Sequence, residues 1–404
     1  MNRRQMIVLS ATAVASSSSL PRQIPASNYS TDSTEVTLDN LLLKDYHPES
    51  IFNVPQTRIE KAKYPVIDFH NNIGETAPAT PERIDEFVKT MDSLGVEKVV
   101  ITGEVHPTPE DFSRLRRNFS KHPGRFDFFC TFDLSAANEP EFARKAIKSL
   151  EGCYRLGAVG VGEIVDKGKG LQVPVGESFP GPRSEEIIHA DSHLLGPNFV
   201  GAPHLDDDRM DPLLERCRQL GMPVHIHVAD PIWTYLPTNG KNDGLPDAYN
   251  WKTQVVPGMW GYDELIQSLD RAAQKHPKTV FVAAHFANLG HDLPRLGQML
   301  DRNPNLFANT SARFNEVATI PRQANEFFRK YPDRILYGTD HDYYDPVAER
   351  TTFRILETSD EHFYQPNFYR FLWPMYGLGL PDAVLAKVYR ENALSVFRLA
   401  RKNA

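Results

Sequence analysis

Four residues able to hold a metal or move a proton close runs that read as β-strands. His70 ends Val66-Ile67-Asp68-Phe69-His70, and His285 ends Val280-Phe281-Val282-Ala283-Ala284-His285. Asp340 ends Ile335-Leu336-Tyr337-Gly338-Thr339-Asp340, and His227 lies in Val224-His225-Ile226-His227-Val228. Neutral imidazoles and a carboxylate are ligands that zinc, manganese and iron accept; three protein ligands with an open position make a catalytic site rather than a structural one. Water bound there has its pKa lowered towards about 7 and can attack an electrophile at neutral pH. A single buried His or Asp is more often a hydrogen-bonded core group, but four at matched strand ends favour a metal site over coincidence. His225 and His227, at i and i+2, share one face of their strand. His225 lies one layer deeper and reads as an imidazole hydrogen-bonded in the interior.

Strand ends converge their side chains only within a shared sheet, and a closed (β/α)8 TIM barrel achieves this with its site at the carboxyl ends of the strands. The spacing predicts eight strands, beginning near Val66, Val96, Phe126, Val159, Val224, Thr279, Leu306 and Arg334. Helices alternate with them over Pro81–Leu94, Pro109–His122, Glu139–Leu156, Asp211–Leu220, Tyr262–His276, Asp292–Asp301 and Arg322–Tyr331. In the first, Thr80 is the expected N-cap, Ile84, Phe87, Val88, Met91 and Leu94 form an apolar stripe, and Gly95 is the stop. Two long insertions follow strand ends: Asp166 to Asp208, and Trp233 to Tyr262 with its three tryptophans. Further helices are expected near Leu380–Arg390 and Glu391–Lys402.

A net charge of −7 over 404 residues, without a dense Lys/Arg run, argues against a nucleic-acid partner. The expected partner is a small-molecule substrate, with a homodimer as the open oligomeric reading. Cys130, Cys153 and Cys217 have no CxxC spacing and read as buried thiols. Residues 1–34 read as an export signal and polar leader: Arg3-Arg4, a short apolar run and Ala13-Val14-Ala15 look like a bacterial twin-arginine signal. That implies a periplasmic or exported protein, with residues 35–404 forming the barrel. No run approaches the roughly 20 apolar residues of a membrane span.

The runs ending at His70, His227 and His285, with Leu289-Gly290 after the last, and above all Tyr337-Gly338-Thr339-Asp340, resemble the amidohydrolase superfamily. The branch is the amidohydrolase-2 group, which includes aminocarboxymuconate-semialdehyde decarboxylase-like proteins. The resemblance spans Val66 to Asp345. It implies a metal-dependent barrel that hydrolyses C–N, C–O or C–C bonds or decarboxylates aromatic and related acids. His70 and His227 would then be metal ligands, Asp340 would bind the metal or take a proton from its water, and His285 would ligate or polarise substrate and water.

This sequence departs from the family pattern at the first strand, where His-x-His is replaced by His70-Asn71-Asn72. Asn72 offers only a neutral carbonyl oxygen. Three readings follow: Asn72 is a weak ligand, Glu163 substitutes for it, or the metal has been lost. Glu163 ends Val159-Gly160-Val161-Gly162-Glu163; its alternative is an ion pair with Lys167 or Lys169. Arg313 is a candidate clamp for a substrate carboxylate, against a plain pairing with Glu316. His341 and Trp233 are candidate pocket residues, Trp233 heading an aromatic segment that reads as a lid or a subunit contact. The expected activity is hydrolysis of an amide, ester or lactone through metal-bound water, with zinc as the first choice of divalent metal and manganese or iron as alternatives. A metal-dependent non-oxidative decarboxylase and a non-catalytic binding barrel are the competing readings.

Overall fold

The computed structural model describes residues 39–74, 78–102, 108–134, 136–172, 202–250, 253, 255, 257–365 and 372–404. The twin-arginine-like leader lies outside them, as do His189 and His193 of the first insertion, whose irregular spacing gives no specific metal signal, and Trp251 of the second. Nine strands are present among the described residues: β1 (Val66–Asn71), β2 (Val96–Ile101), β3 (Phe126–Cys130), β4 (Gly160–Asp166), β5 (Leu171–Gln172), β6 (Val224–Val228), β7 (Phe281–Ala283), β8 (Leu306–Asn309) and β9 (Ile335–Leu336). All except β5 pair in parallel, in the order β1-β2-β3-β4-β6-β7-β8-β9. Closure from β9 to β1 is made past the short strand, where Phe69 N donates to Tyr337 O (3.0 Å), Asp340 N to His70 O (2.9 Å) and Asn72 N to His341 O (2.8 Å). The result is the expected eight-stranded barrel. The unexpected β5 folds back antiparallel on β4 within the first insertion.

Local chemistry explains the helical layer. In Pro81–Leu94, Thr80 caps the first turn through Arg83 N, a proline opens the helix, the five expected apolar residues are buried, and Gly95 stops it at φ 82°. A helix over Pro346–Glu357 was not among the expected elements, and the two C-terminal helices are one continuous run, Asp382–Ala386, Lys387–Glu391 and Asn392–Asn403. Among the described residues no helix is long and apolar enough to cross a membrane.

Two apolar cores follow from the alternation of strand side chains. The larger lies between the barrel wall and the helices. The smaller fills the barrel interior with Ile67, Phe69, Val100, Phe129, Val282, Phe307 and Leu336, and takes in Ala393, Val396, Phe397 and Ala400 from the last helix. That helix plugs the barrel: Phe397 packs 5.5 Å from Phe69 and 6.3 Å from Phe129, ring centre to ring centre.

Candidate metal centre

The floor of packed aromatics carries a polar layer above it, and the backbone departs from regular geometry wherever that layer needs a side chain. The β1–β2 register shifts between Asp68 and Asn71. A bulge there breaks the two-residue alternation, so that consecutive residues both reach the interior: Phe69 meets Phe129, and His70 meets His225 and His285. The β4–β6 register shifts between Val161 and Ile164 and aims Glu163 inward. Gly162 makes this possible: its φ is 135°, and a Cβ there would lie 2.3 Å from the His225 carbonyl oxygen. His285 is not on a strand as expected. Strand β7 stops at Ala283, and His285, Phe286, Ala287 and Asn288 all have φ between 53° and 57°, a left-handed turn that costs roughly 1–2 kcal/mol per residue. Asp340 also stands at positive φ, 66°, beyond the end of β9. Strain of this kind persists only where surrounding contacts impose it, and it clusters at functional sites.

The four side chains so placed converge. One ligand atom each from His70, Glu163, His285 and Asp340 lies within 4.8 Å of all the others. His70 Nε2 is 3.1 Å from Asp340 Oδ1 and 3.4 Å from Glu163 Oε2, and His285 Nε2 is 3.5 Å from Glu163 Oε1. A tetrahedral ion with bonds of about 2.1 Å separates its ligands by about 3.4 Å, so the spacing fits a first-row divalent cation. The donors fit too: His70 Nε2 and Glu163 Oε1 are buried without a hydrogen-bond partner, as are His227 Nε2 and Asn72 Oδ1. Unpaired buried polar atoms are costly unless something satisfies them.

Electrostatics supports the same reading. Burial alone would keep the His70 imidazole neutral, but the adjacent Glu163 and Asp340 carboxylates outweigh it and raise its pKa to about 10. Against the upward push of burial, His70, with help from His227 and His285, holds Glu163 well below the usual carboxylate range. Asp340 is likewise lowered against burial, by His70 and His285. The His285 pKa falls to about 4, because burial outweighs the attraction of Asp340, leaving a neutral ring with a lone pair to give. Two ionised carboxylates, the neutral His285 ring and a His70 imidazole whose extra proton a divalent cation would displace form a donor set that such an ion would neutralise.

A family model described as amidohydrolase matches residues 83–399, well over half of the chain. The chain belongs to the amidohydrolase family. No curated protein matches the sequence. An uncharacterised TIM-barrel protein from Bordetella bronchiseptica superposes with a TM-score of 0.48 at 16% identity, over 83% of this chain and 99% of that one. The 5-carboxyvanillate decarboxylase of Novosphingobium aromaticivorans, complexed with manganese and 4-hydroxy-3-methoxy-5-nitrobenzoic acid, gives 0.45 at 16% identity, over 85% and 100%. An amidohydrolase from Burkholderia multivorans with bound zinc gives 0.40 at 10% identity, over 83% and 99%. Family membership rests on the family model, not on these superpositions.

The remaining sequence candidates take defined places in this amidohydrolase. His227 stands beside the four, its Nδ1 3.1 Å from His285 Nε2 and 3.3 Å from Glu163 Oε1. Asn72 donates from Nδ2 to Asp340 Oδ1 at 2.8 Å, so its amide orients the carboxylate. Glu163 is not paired with Lys167, which instead meets Asp230 at 2.8 Å. Of the two readings of Arg313, the pairing with Glu316 is the one found. Its Nε and Nη2 donate to Asn288 Oδ1, its Nη1 donates to Ala312 O, and Glu316 lies 3.4 Å away. Burial explains these partners, since a guanidinium 8% exposed must satisfy its donors inside the protein. His341 turns away to the buried Glu349, and the Trp233 indole meets Glu316 at 3.5 Å. His225 is the deep imidazole expected, 2.9 Å from Asn309 Nδ2. His204 stacks on Trp260 with ring centres 3.4 Å apart and pairs with Asp166.

Sequence reasoning missed Asn288. Its Nδ2 donates to Val228 O and Ala229 O, both at 3.0 Å, tying the left-handed turn to the end of β6. An asparagine three residues after a strand-end histidine is a faint signal, legible only once the turn is seen.

Proposed function

We propose that this amidohydrolase is a hydrolase acting on a small carbonyl substrate, an amide, ester or lactone, with one divalent ion, zinc by preference, held by His70, Glu163, His285 and Asp340. The convergence of these four donors, on or just beyond the ends of four strands, carries the reading. When bound, such an ion supplies a water acidified towards about pKa 7 and an electrophilic pull on a carbonyl oxygen. The chain's own groups do the rest. Asp340, ionised, a quarter exposed and oriented by Asn72, accepts the proton of the attacking water. His227, against Glu163 and His285 at the upper rim of β6, is placed to pass a proton towards the leaving group.

Decarboxylation is the alternative on the same residues, with the ion itself receiving the substrate carboxylate and a neighbouring oxygen. Among the described residues, Arg313 serves Asn288 and Glu316, and Lys167 serves Asp230. The test is turnover of amide, ester and lactone panels by protein of measured metal content, with carbon dioxide release followed on aromatic acids. Hydrolysis without carbon dioxide supports the proposal. Carbon dioxide release with no hydrolysis transfers the site to the decarboxylase reading, and neither, with metal bound, leaves the binding barrel.

A further inference from the structure

We propose that Ser311 is the positioning residue that turns the Nε2 lone pair of His70 towards the metal. The inference rests on the reading that His70 is a ligand, and it follows from counting hydrogens in a buried network below the cluster. Asn309 Oδ1 accepts from two backbone N–H groups, those of His285 (3.1 Å) and Ser311 (3.3 Å), which identifies it as the oxygen of the amide. Ser311 Oγ lies 2.6 Å from that oxygen. An amide oxygen cannot donate, so the one hydrogen of the Ser311 hydroxyl is committed there. Ser311 Oγ is also 2.9 Å from His70 Nδ1. With its hydrogen spent, the hydroxyl can only accept, so His70 carries a proton on Nδ1 and leaves Nε2 for the site.

The same residue governs the second imidazole. His285 Nδ1 is 2.9 Å from the Ser311 carbonyl and 3.1 Å from its hydroxyl. A carbonyl only accepts, so His285 too is protonated on Nδ1 and presents Nε2. Asn309 completes the network from its other end, its Nδ2 donating to His225 Nε2 at 2.9 Å. Ser311 is fully buried, so water cannot substitute for it. The polar contacts that orient ligating imidazoles typically change metal affinity 10–100-fold when removed.

The experiment compares zinc affinity, by competition with a chelator, for the parent, Ser311→Ala and Ser311→Thr, and reads the ring protons of the zinc-loaded parent by nitrogen-edited NMR. The expected result is a loss of about 10–100-fold in Ser311→Ala, substantial recovery in Ser311→Thr, and a proton on Nδ1 of His70. Affinity within about threefold of the parent in a folded Ser311→Ala protein would overturn the inference. So would a His70 proton on Nε2 in the parent, which decides the matter even if the variants do not fold. A parent that binds neither zinc, manganese nor iron sinks the metal reading itself, whereas a parent that binds and an alanine variant that binds equally sinks only the role of Ser311.

Discussion

At the scale of single residues, Glu163 and Arg313 resolve differently the pairings that charge alone would assign. The carboxylate that had a lysine four residues away lies among histidines instead, whereas the arginine keeps the carboxylate three residues away and also holds an asparagine. Glu163→Gln keeps the shape and removes the charge, so we expect metal per chain to fall below one, measured by plasma mass spectrometry on protein reconstituted with zinc. A full complement of zinc in that variant would remove Glu163 from the ligand set. Arg313→Ala leaves Glu316, already raised above the usual carboxylate range by burial, without its cation. Removing one partner of a buried pair costs about 3–5 kcal/mol, and a urea titration should show a loss of that order. A stability equal to the parent, with only KM raised, would restore Arg313 as a substrate clamp.

At the scale of elements, the site is made by irregular backbone inserted into a regular barrel. Bulges on β1 and β4 turn His70 and Glu163 inward, and left-handed residues after β7 and β9 carry His285 and Asp340. Gly162 is the most exposed to test, because its positive φ and the carbonyl of His225 both exclude a side chain. We expect Gly162→Ala to lose metal and to be less stable by about 1–3 kcal/mol or more; unchanged metal content and thermal midpoint would show that the bulge is not needed. Asn288→Ala unties the left-handed turn from β6 and leaves two carbonyls and Arg313 short of a partner, at a cost of about 1–3 kcal/mol. Differential scanning calorimetry would record it, and a midpoint equal to the parent would deny the latch.

At the scale of the whole molecule, the two ends of the barrel have different work. The carboxyl ends of the strands carry the polar cluster, while the last helix seals the other end with Ala393, Val396, Phe397 and Ala400. Phe397→Ala should cost about 3–5 kcal/mol by emptying the space against Phe69 and Phe129. It should leave the metal stoichiometry of the folded protein at its parental value, because the plug touches no ligand. Loss of metal from protein that remains folded would mean that the floor positions the cluster as well as supporting it.

The sequence alone carried the barrel and most of the candidate cluster. Apolar, β-branched runs alternating with amphipathic helices leave few ways to bury their faces, and the Thr80 to Gly95 helix formed with the expected cap, stripe and stop. His70, His285 and Asp340 were legible as candidates because such residues at the ends of apolar runs have no packing reason to be there, and they do come together. What only the tertiary structure decided is where those side chains point. A two-residue period cannot announce a bulge, and nothing local in Ala284-His285-Phe286-Ala287-Asn288 predicts four left-handed residues; the carbonyls of β6 and the Asn309–Ser311 network impose them from across the sheet. The choice among Asn72, Glu163 and a lost site was likewise open in one dimension, since it depended on distances between strands that are neighbours only in the closed barrel.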